Sequence, residues 1–354
     1  MKKIGIECES IENDTWGVAR MINKLLEEID RRPELKNEFE FYLYFKSKIP
    51  DYPYLQNPIF KKTIIKPPII PSSFSLYYYV YLPIYLWFKR VHTMFFPNYM
   101  LPLIFLGKSV VMLTDDIYYE SRNPKLPFRY RLAYRIFAGW AARHASQIIA
   151  ISENSKKELV RLFKIRPERI VVNHLGIDFR MIQDSRFKIQ DPYLLYVGQA
   201  FPRRHLKETI SAYRMLSKEF PDLKLVAIGP DKYPEPLDFT GVIHKDYVED
   251  AELVSLYAGA KALVYVSDRE AFGLPPMEAL LFGVPPVIAD NELGRELFED
   301  YAFYVRNPDS DSIAKSIRDA LIQTEKIAKI KTEGPKFVKK YSWKSFTDKF
   351  LSFI

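Results

Sequence analysis

The chain has 354 residues, 48% of them hydrophobic and 27% charged, which suits two domains of ordinary size and excludes a disordered chain. A single cysteine, Cys8, excludes an internal disulfide framework, and five scattered histidines with no pair at helical spacing point to no protein-bound metal. The formal net charge of +8 is uneven: residues 1–188 carry 30 Lys and Arg against 19 Asp and Glu, and residues 189–354 carry 22 against 25. A basic first half suits nucleic acid, anionic lipid headgroups or a phosphorylated acceptor, but no nucleic-acid reader motif accompanies it. MKKIGIECESI has acids among its first ten residues and no apolar run of signal-peptide length, so a cytosolic location is expected.

Residues 3–7 read as a buried strand. Gly17 to Ile29 follows as an amphipathic helix with Val18, Met21, Ile22, Leu25, Leu26 and Ile29 on one face. Gly17, at the helix start, would let a ligand approach the free amides there. Further strands are expected at Phe39 to Phe45, Thr63 to Ile65, Thr93 to Phe96, Ser109 to Thr114 and Gln147 to Ser152, with a loop at Pro67 to Pro71. The aromatic stretch Phe74 to Leu106 is broken by Pro83 and by Lys89, Arg90 and His92, short of the ~20 apolar residues a membrane span needs. It reads as a buried helix followed by a buried strand, with partial membrane contact as the alternative. Phe128 to Ala145 interleaves arginines with aromatics and reads as a solvated helix covering the sheet, with surface contact as the alternative.

A helix capped by the Ser-Glu-Asn-Ser run is expected from about Ser155, and Ile170 to Asn173 is another strand before a turn at Gly176. Charged, non-periodic sequence from Phe179 to Asp191 marks a linker, which gives domains of 1–188 and 189–354. The second half repeats the alternation. Strands are expected at Tyr193 to Gly198, Leu223 to Gly229 and Ala262 to Ser267, helices at Leu206 to Phe220 and Asp250 to Ala260, and a last amphipathic helix in YSWKSFTDKFLSFI. This is an α/β protein with parallel sheets, whose ligands bind at the strand C-termini.

The chemistry concentrates in Val264 to Asp290, VYVSDREAFGLPPMEALLFGVPPVIAD. Glu270 lies in the loop after a strand, and Pro275 or Pro276 suits the first turn of a helix that carries Glu278 and stops at Gly283. The free amides of that helix start suit a phosphate ester, and two carboxylates suit sugar hydroxyls. Arg203 and Arg204, in the loop after the strand ending at Gly198, can neutralise a diphosphate leaving group.

These residues carry a resemblance. Glu270 and Glu278 around Phe272-Gly273-Leu274-Pro275 resemble the E-x7-E signature of the family 4 retaining glycosyltransferases. YVG with PRRHLKETISAY, SENSKKELVRLFKIRPERIVVNHLGID and YSWKSF resemble further segments of that family in the same order. The resemblance implies a GT-B fold: two Rossmann-like domains with a cleft, the first binding the acceptor, the second the nucleotide sugar, and a C-terminal helix returning toward the first. It further implies that Glu270, with amides around Phe272, Gly273 and Leu274, holds the donor sugar and that Glu278 holds the ribose. Arg204, preceded by Arg203, stands at the phosphate-binding lysine, Gly17 in the loop near the phosphates, and Asp115 in the family's His-Asp pair. Glu270, Asp115 and Arg204 are thereby the expected catalytic residues.

Three positions depart from the pattern. Gln199 replaces a second phosphate-binding arginine, Ala271 a common glycine, and Thr114 the histidine before Asp115. The implied reaction is metal-independent, retaining transfer of a hexose to a saccharide or lipid-pyrophosphate-linked saccharide, without cofactor, in surface polysaccharide synthesis. GDP-mannose is favoured over UDP-glucose as donor, with peripheral contact to the inner face of an anionic membrane through the first domain. A sugar-nucleotide epimerase and a non-catalytic sugar-nucleotide binding protein are the alternatives.

Overall fold

The computed structural model describes residues 1–13, 16–68, 70, 73–91, 93–124, 126–179 and 191–354. The linker expected over Phe179 to Asp191 falls, apart from its two ends, outside the described residues, as do His92 and part of the Pro67 to Pro71 loop. Two compact units result: Met1–Gly176 with Trp343–Ile354, and Ile177–Ser342. The last helix, which the sequence reading counted in the second domain while expecting it to return toward the first, thus belongs to the first unit.

The first unit is a seven-stranded parallel sheet of β1 (Lys2–Glu7), β2 (Phe39–Phe45), β3 (Phe60–Ile64), β4 (Thr93–Phe96), β5 (Lys108–Met112), β6 (Gln147–Ala150) and β7 (Ile170–Val172), in the order β3-β2-β1-β4-β5-β6-β7. Adjacent side chains of β4 show how its faces are covered. Phe95 meets Phe350 of the final helix Trp343–Phe353 at 4.8 Å, whereas Phe96 meets Tyr78 at 6.1 Å in the helical segment that begins at Phe74. Neighbours on a strand point to opposite faces, so helices cover both. Asn173 Nδ2 donates to the Phe346 carbonyl at 3.0 Å and Arg32 pairs with Asp348, which fastens the final helix to this unit.

The second unit is a six-stranded parallel sheet of β8 (Tyr193–Val197), β9 (Lys224–Ile228), β10 (Ile243–Lys245), β11 (Ala262–Tyr265), β12 (Pro286–Ala289) and β13 (Phe303–Val305), in the order β10-β9-β8-β11-β12-β13. The chain winds outward from β8 on one side and from β11 on the other. Their C-terminal ends therefore flank the switch point, where open parallel sheets receive ligands.

Most expected elements are present, and the differences have local causes. β3 starts three residues before the expected strand because Phe60 buries beside Phe41. The helix expected from Ser155 begins at Glu153, with Ser152 as its cap accepting the Ser155 amide at 2.9 Å, so the strand before it stops at Ala150. The helix from Leu206 ends at Leu216, before Ser217 and the turn that follows. The short strands β10, β12 and β13 went unforeseen: β12 and β13 are only four and three residues long, and β10 is Ile-His-Lys, with no apolar run. Among the described residues, no helix is long and apolar enough to cross a membrane.

Candidate active site

Two loops at the switch point hold Arg203, Arg204 and Glu270. After β8 the chain crosses over β9 through two glycines. Gly198 has φ +136° and Gly229 has φ +128°, and a Cβ on Gly229 would stand 2.2 Å from the Gly198 carbonyl oxygen. A Cβ on Gly198 would stand 2.8 Å from Arg204 Nη1. Only glycine tolerates both the dihedral and the approach. A 3-10 turn, Pro202–Arg204, then leads to His205, whose left-handed backbone starts the helix Leu206–Leu216.

The loop after β11 is stitched to this turn. The Asp268 amide donates to the Arg203 carbonyl at 2.9 Å, and His205 Nε2 lies 2.7 Å from Asp268 Oδ1. Between them Arg204 grips Glu270 with two bonds, Nε to Oε1 at 2.7 Å and Nη2 to Oε2 at 3.1 Å. This fork geometry is specific to arginine, so the residue standing where the family has lysine orients its carboxylate as a lysine would not. Ser267 Oγ adds a third bond to Glu270 Oε1 at 3.1 Å, and Arg204 Nη1 donates to the Gln199 carbonyl at 3.1 Å. Tyr265 hydrogen-bonds Glu270 as well, and a carboxylate has about four acceptor positions. Gln199 thus works through its backbone, as an anchor for Arg204, and Arg203 holds the Arg269 carbonyl at 3.4 Å.

Gly273, φ +92°, caps the helix Leu274–Leu281, with Pro275 and Pro276 in its first turn. Phe272 is buried against Tyr341, which leaves the backbone around Gly273 to line a small cavity with Tyr265, Ser267, Glu270 and Asn291. Glu278 is buried on this helix, and the Tyr257 hydroxyl donates to its Oε2 at 2.8 Å. Sequence reasoning missed Tyr257, as nothing in an apolar helix segment marks one tyrosine as the partner of a carboxylate 21 residues on. It also missed Asn291, which caps the helix Glu292–Phe298 and donates to the Ser267 carbonyl at 3.4 Å.

In the first unit, Gly17 lies in the first turn of the helix Trp16–Asp30 after β1, where an added Cβ would meet open space. Neither crowding nor an unusual φ requires glycine there. Asp115 follows β5 and starts the helix Asp116–Glu120; burial raises its carboxyl above the ordinary range. Thr114 hydrogen-bonds Asp116. The structure therefore brings together Arg203, Arg204 and Glu270 with the Phe272-Gly273-Leu274 segment in the second unit, places Glu278 further along the helix that follows, and sets Gly17 and Asp115 on the first.

Known proteins agree with this architecture. Residues 17–180 match the family described as Glycosyltransferase Family 4, and residues 178–337 match Glycosyl transferases group 1. The O-antigen chain mannosyltransferase B of Escherichia coli is 28% identical over 227 residues, covering 57% of this chain and 58% of that protein. The O-antigen chain mannosyltransferase RfbU of Salmonella typhimurium is 24% identical over 229 residues, covering 61% of each. The match thus spans about six tenths of the length of these two relatives. Among solved structures, WaaG, a glycosyltransferase involved in lipopolysaccharide biosynthesis, superposes with a TM-score of 0.71 at 17% identity over 99% of both chains. Anabaena HepE in complex with UDP and glucose superposes with a TM-score of 0.71 at 15% identity over the whole of both. With two parallel-sheet units and adjoining family matches from residue 17 to residue 337, the chain belongs to the glycosyltransferases of family 4 and group 1, on a GT-B fold.

Proposed function

We propose that the protein transfers a hexose, mannose first, from a nucleotide-diphosphate sugar to a saccharide or lipid-linked saccharide, with retention at the anomeric carbon and without a metal. The observation that carries this reading is the Arg204–Glu270 fork at the β8/β11 switch point, beside the glycine-capped helix start. Arg204 and Arg203 would stabilise the departing diphosphate, and the amides from Phe272 to Leu274 would add to that field. Glu270, held by Arg204 and Ser267, would take a hydroxyl of the donor sugar, and Glu278, steadied by Tyr257, would take the ribose. Attack from the front face would let the departing phosphate accept the acceptor's proton, so no protein base is required. Asp115 and Gly17 would serve the acceptor and phosphate sides.

GDP-mannose ranks first because the two sequence relatives named above are mannosyltransferases, and UDP-glucose second because the HepE neighbour holds UDP and glucose. The setting would be cytoplasmic, at the inner face of a membrane that carries a lipid-pyrophosphate acceptor. A panel of nucleotide sugars read by mass spectrometry tests the reading. Slow acceptor-independent release of GDP or UDP is expected. An isomerised sugar with no nucleotide release would replace transfer by epimerisation, and thermal stabilisation without chemistry would replace it by binding alone.

A further inference from the structure

The first unit exposes an apolar layer where a solvated protein would place polar side chains. In Phe74–Leu76, Tyr77–Tyr81 and Leu82–Phe88, which run on as one helical segment, Tyr77, Tyr78, Leu82 and Leu86 pack inward. Outward face Val80, Ile84, Trp87 and Phe88, at i, i+4, i+7 and i+8, the last two 70% and 71% exposed. This segment touches the helix Phe128–His144 through Tyr79 and Phe137, whose rings stack at 4.4 Å. That second helix repeats the pattern with Phe128, Leu132 and Ile136 outward at i, i+4 and i+8. Beside the first helix, Ile104 and the 90% exposed Leu106 rim a cavity of about 720 Å³ shared with Trp87 and Phe88. The helix expected to be buried is therefore buried on one side only, and the helix expected to be solvated carries an apolar stripe.

The charges around this layer are mostly cationic; the acids nearest it, Asp116 and Glu120, lie on the short helix beside Tyr134 of the second helix. Residues 52–114 and 121–152 contain no Asp or Glu. Lys89 and Arg90 end the first helix, and Arg129, Arg131, Arg135 and Arg143 lie along the second. A second copy of the chain docked face to face would set these cations against each other. An anionic bilayer surface satisfies both features, taking the apolar stripes among its acyl chains and the cations at its phosphates.

We propose that the outer face of Val80, Ile84, Trp87, Phe88, Leu106 and Leu132 is a docking surface for anionic phospholipid. The inference deepens the membrane setting suggested above by naming the face, and it stands apart from transfer itself.

Flotation of the full chain with vesicles tests it, using phosphatidylcholine alone and phosphatidylcholine with phosphatidylglycerol. Wild type is expected to float with the anionic vesicles, and less as salt is raised. Trp87→Ser with Phe88→Ser should lower partitioning roughly tenfold per side chain. Arg129→Gln with Arg135→Gln should lower binding to anionic vesicles only. Both pairs are exposed, so unchanged melting and unchanged nucleotide release from a soluble donor will show that the variants are folded. Failure of wild type to float overturns the proposal, as does unaltered flotation of Trp87→Ser with Phe88→Ser. A wild-type dimer that this double variant dissolves, without vesicle binding, overturns it in favour of a second copy. Wild type that floats but releases no nucleotide leaves the docking surface standing and removes transfer.

Discussion

The two sheets end in different chemistry at their switch points. Between β8 and β11, Glu270 meets a cation, Arg204, through two short bonds, and further bonds join the loops that carry them. On the β1 side of the other switch point, Glu7 is fully buried and meets no cation among the described residues: it accepts the Glu9 amide at 2.9 Å and the Tyr77 hydroxyl at 3.3 Å. Burial pushes its carboxyl up to about 8. Glu12, close by, is held by the Lys46 and Ser47 amides instead. A carboxylate gripped by a fork is oriented toward the cavity it lines. A carboxyl enclosed by apolar rings is a neutral structural group.

Removing the gripped carboxylate gives the largest expected effect. Glu270→Ala should reduce nucleotide-sugar turnover by at least about a thousandfold, because it deletes the sugar contact and leaves Arg204 unpaired in the site. Near-normal turnover would break the contrast outright. Next comes the backbone that aims Arg204. Gly229→Ala should cost about 3 kcal/mol in denaturant unfolding, since its Cβ meets the Gly198 carbonyl at a strained φ. A cost below about 1 kcal/mol would show that the crossing yields.

The enclosed carboxyl makes a pH prediction. Its folded value, about 8, lies above the ordinary 4.5, so its favourable contribution is complete below pH 4.5 and is lost as pH rises through about 8. Glu7→Gln keeps an acceptor oxygen without the charge. Its unfolding free energy should match wild type near pH 4.5 and exceed it increasingly toward pH 8, by on the order of a few kcal/mol. A gap independent of pH would mean that Glu7 does not titrate in this range. The smallest effect is expected at Tyr257→Phe, which removes one hydrogen bond to buried Glu278. About 1 kcal/mol of stability and a few-fold in donor affinity should be lost, and unchanged donor affinity would detach Glu278 from the ribose.

Much of this was legible in the chain. Phe39–Phe45 and Thr93–Phe96 have the expected bounds, because dense aromatic runs between polar turns admit one reading. The Glu270 loop and the helix bearing Glu278 stood out through Gly273 and the two prolines, whose backbone preferences are local. β12 and β13 were not legible, being stabilised by neighbours across the sheet rather than by their own short sequences.

By itself, the sequence determined the alternation of strands and helices, the residue types at both strand-end loops and the basic bias of the first half, since each depends on neighbours within a few positions. Only the tertiary structure decided that Arg204 spends its fork on Glu270, 66 residues away, that Tyr257 steadies Glu278, and that the aromatic helix turns Trp87 and Phe88 outward. Strand order and helix packing set those partners, and no local pattern encodes which distant side chain will arrive beside another.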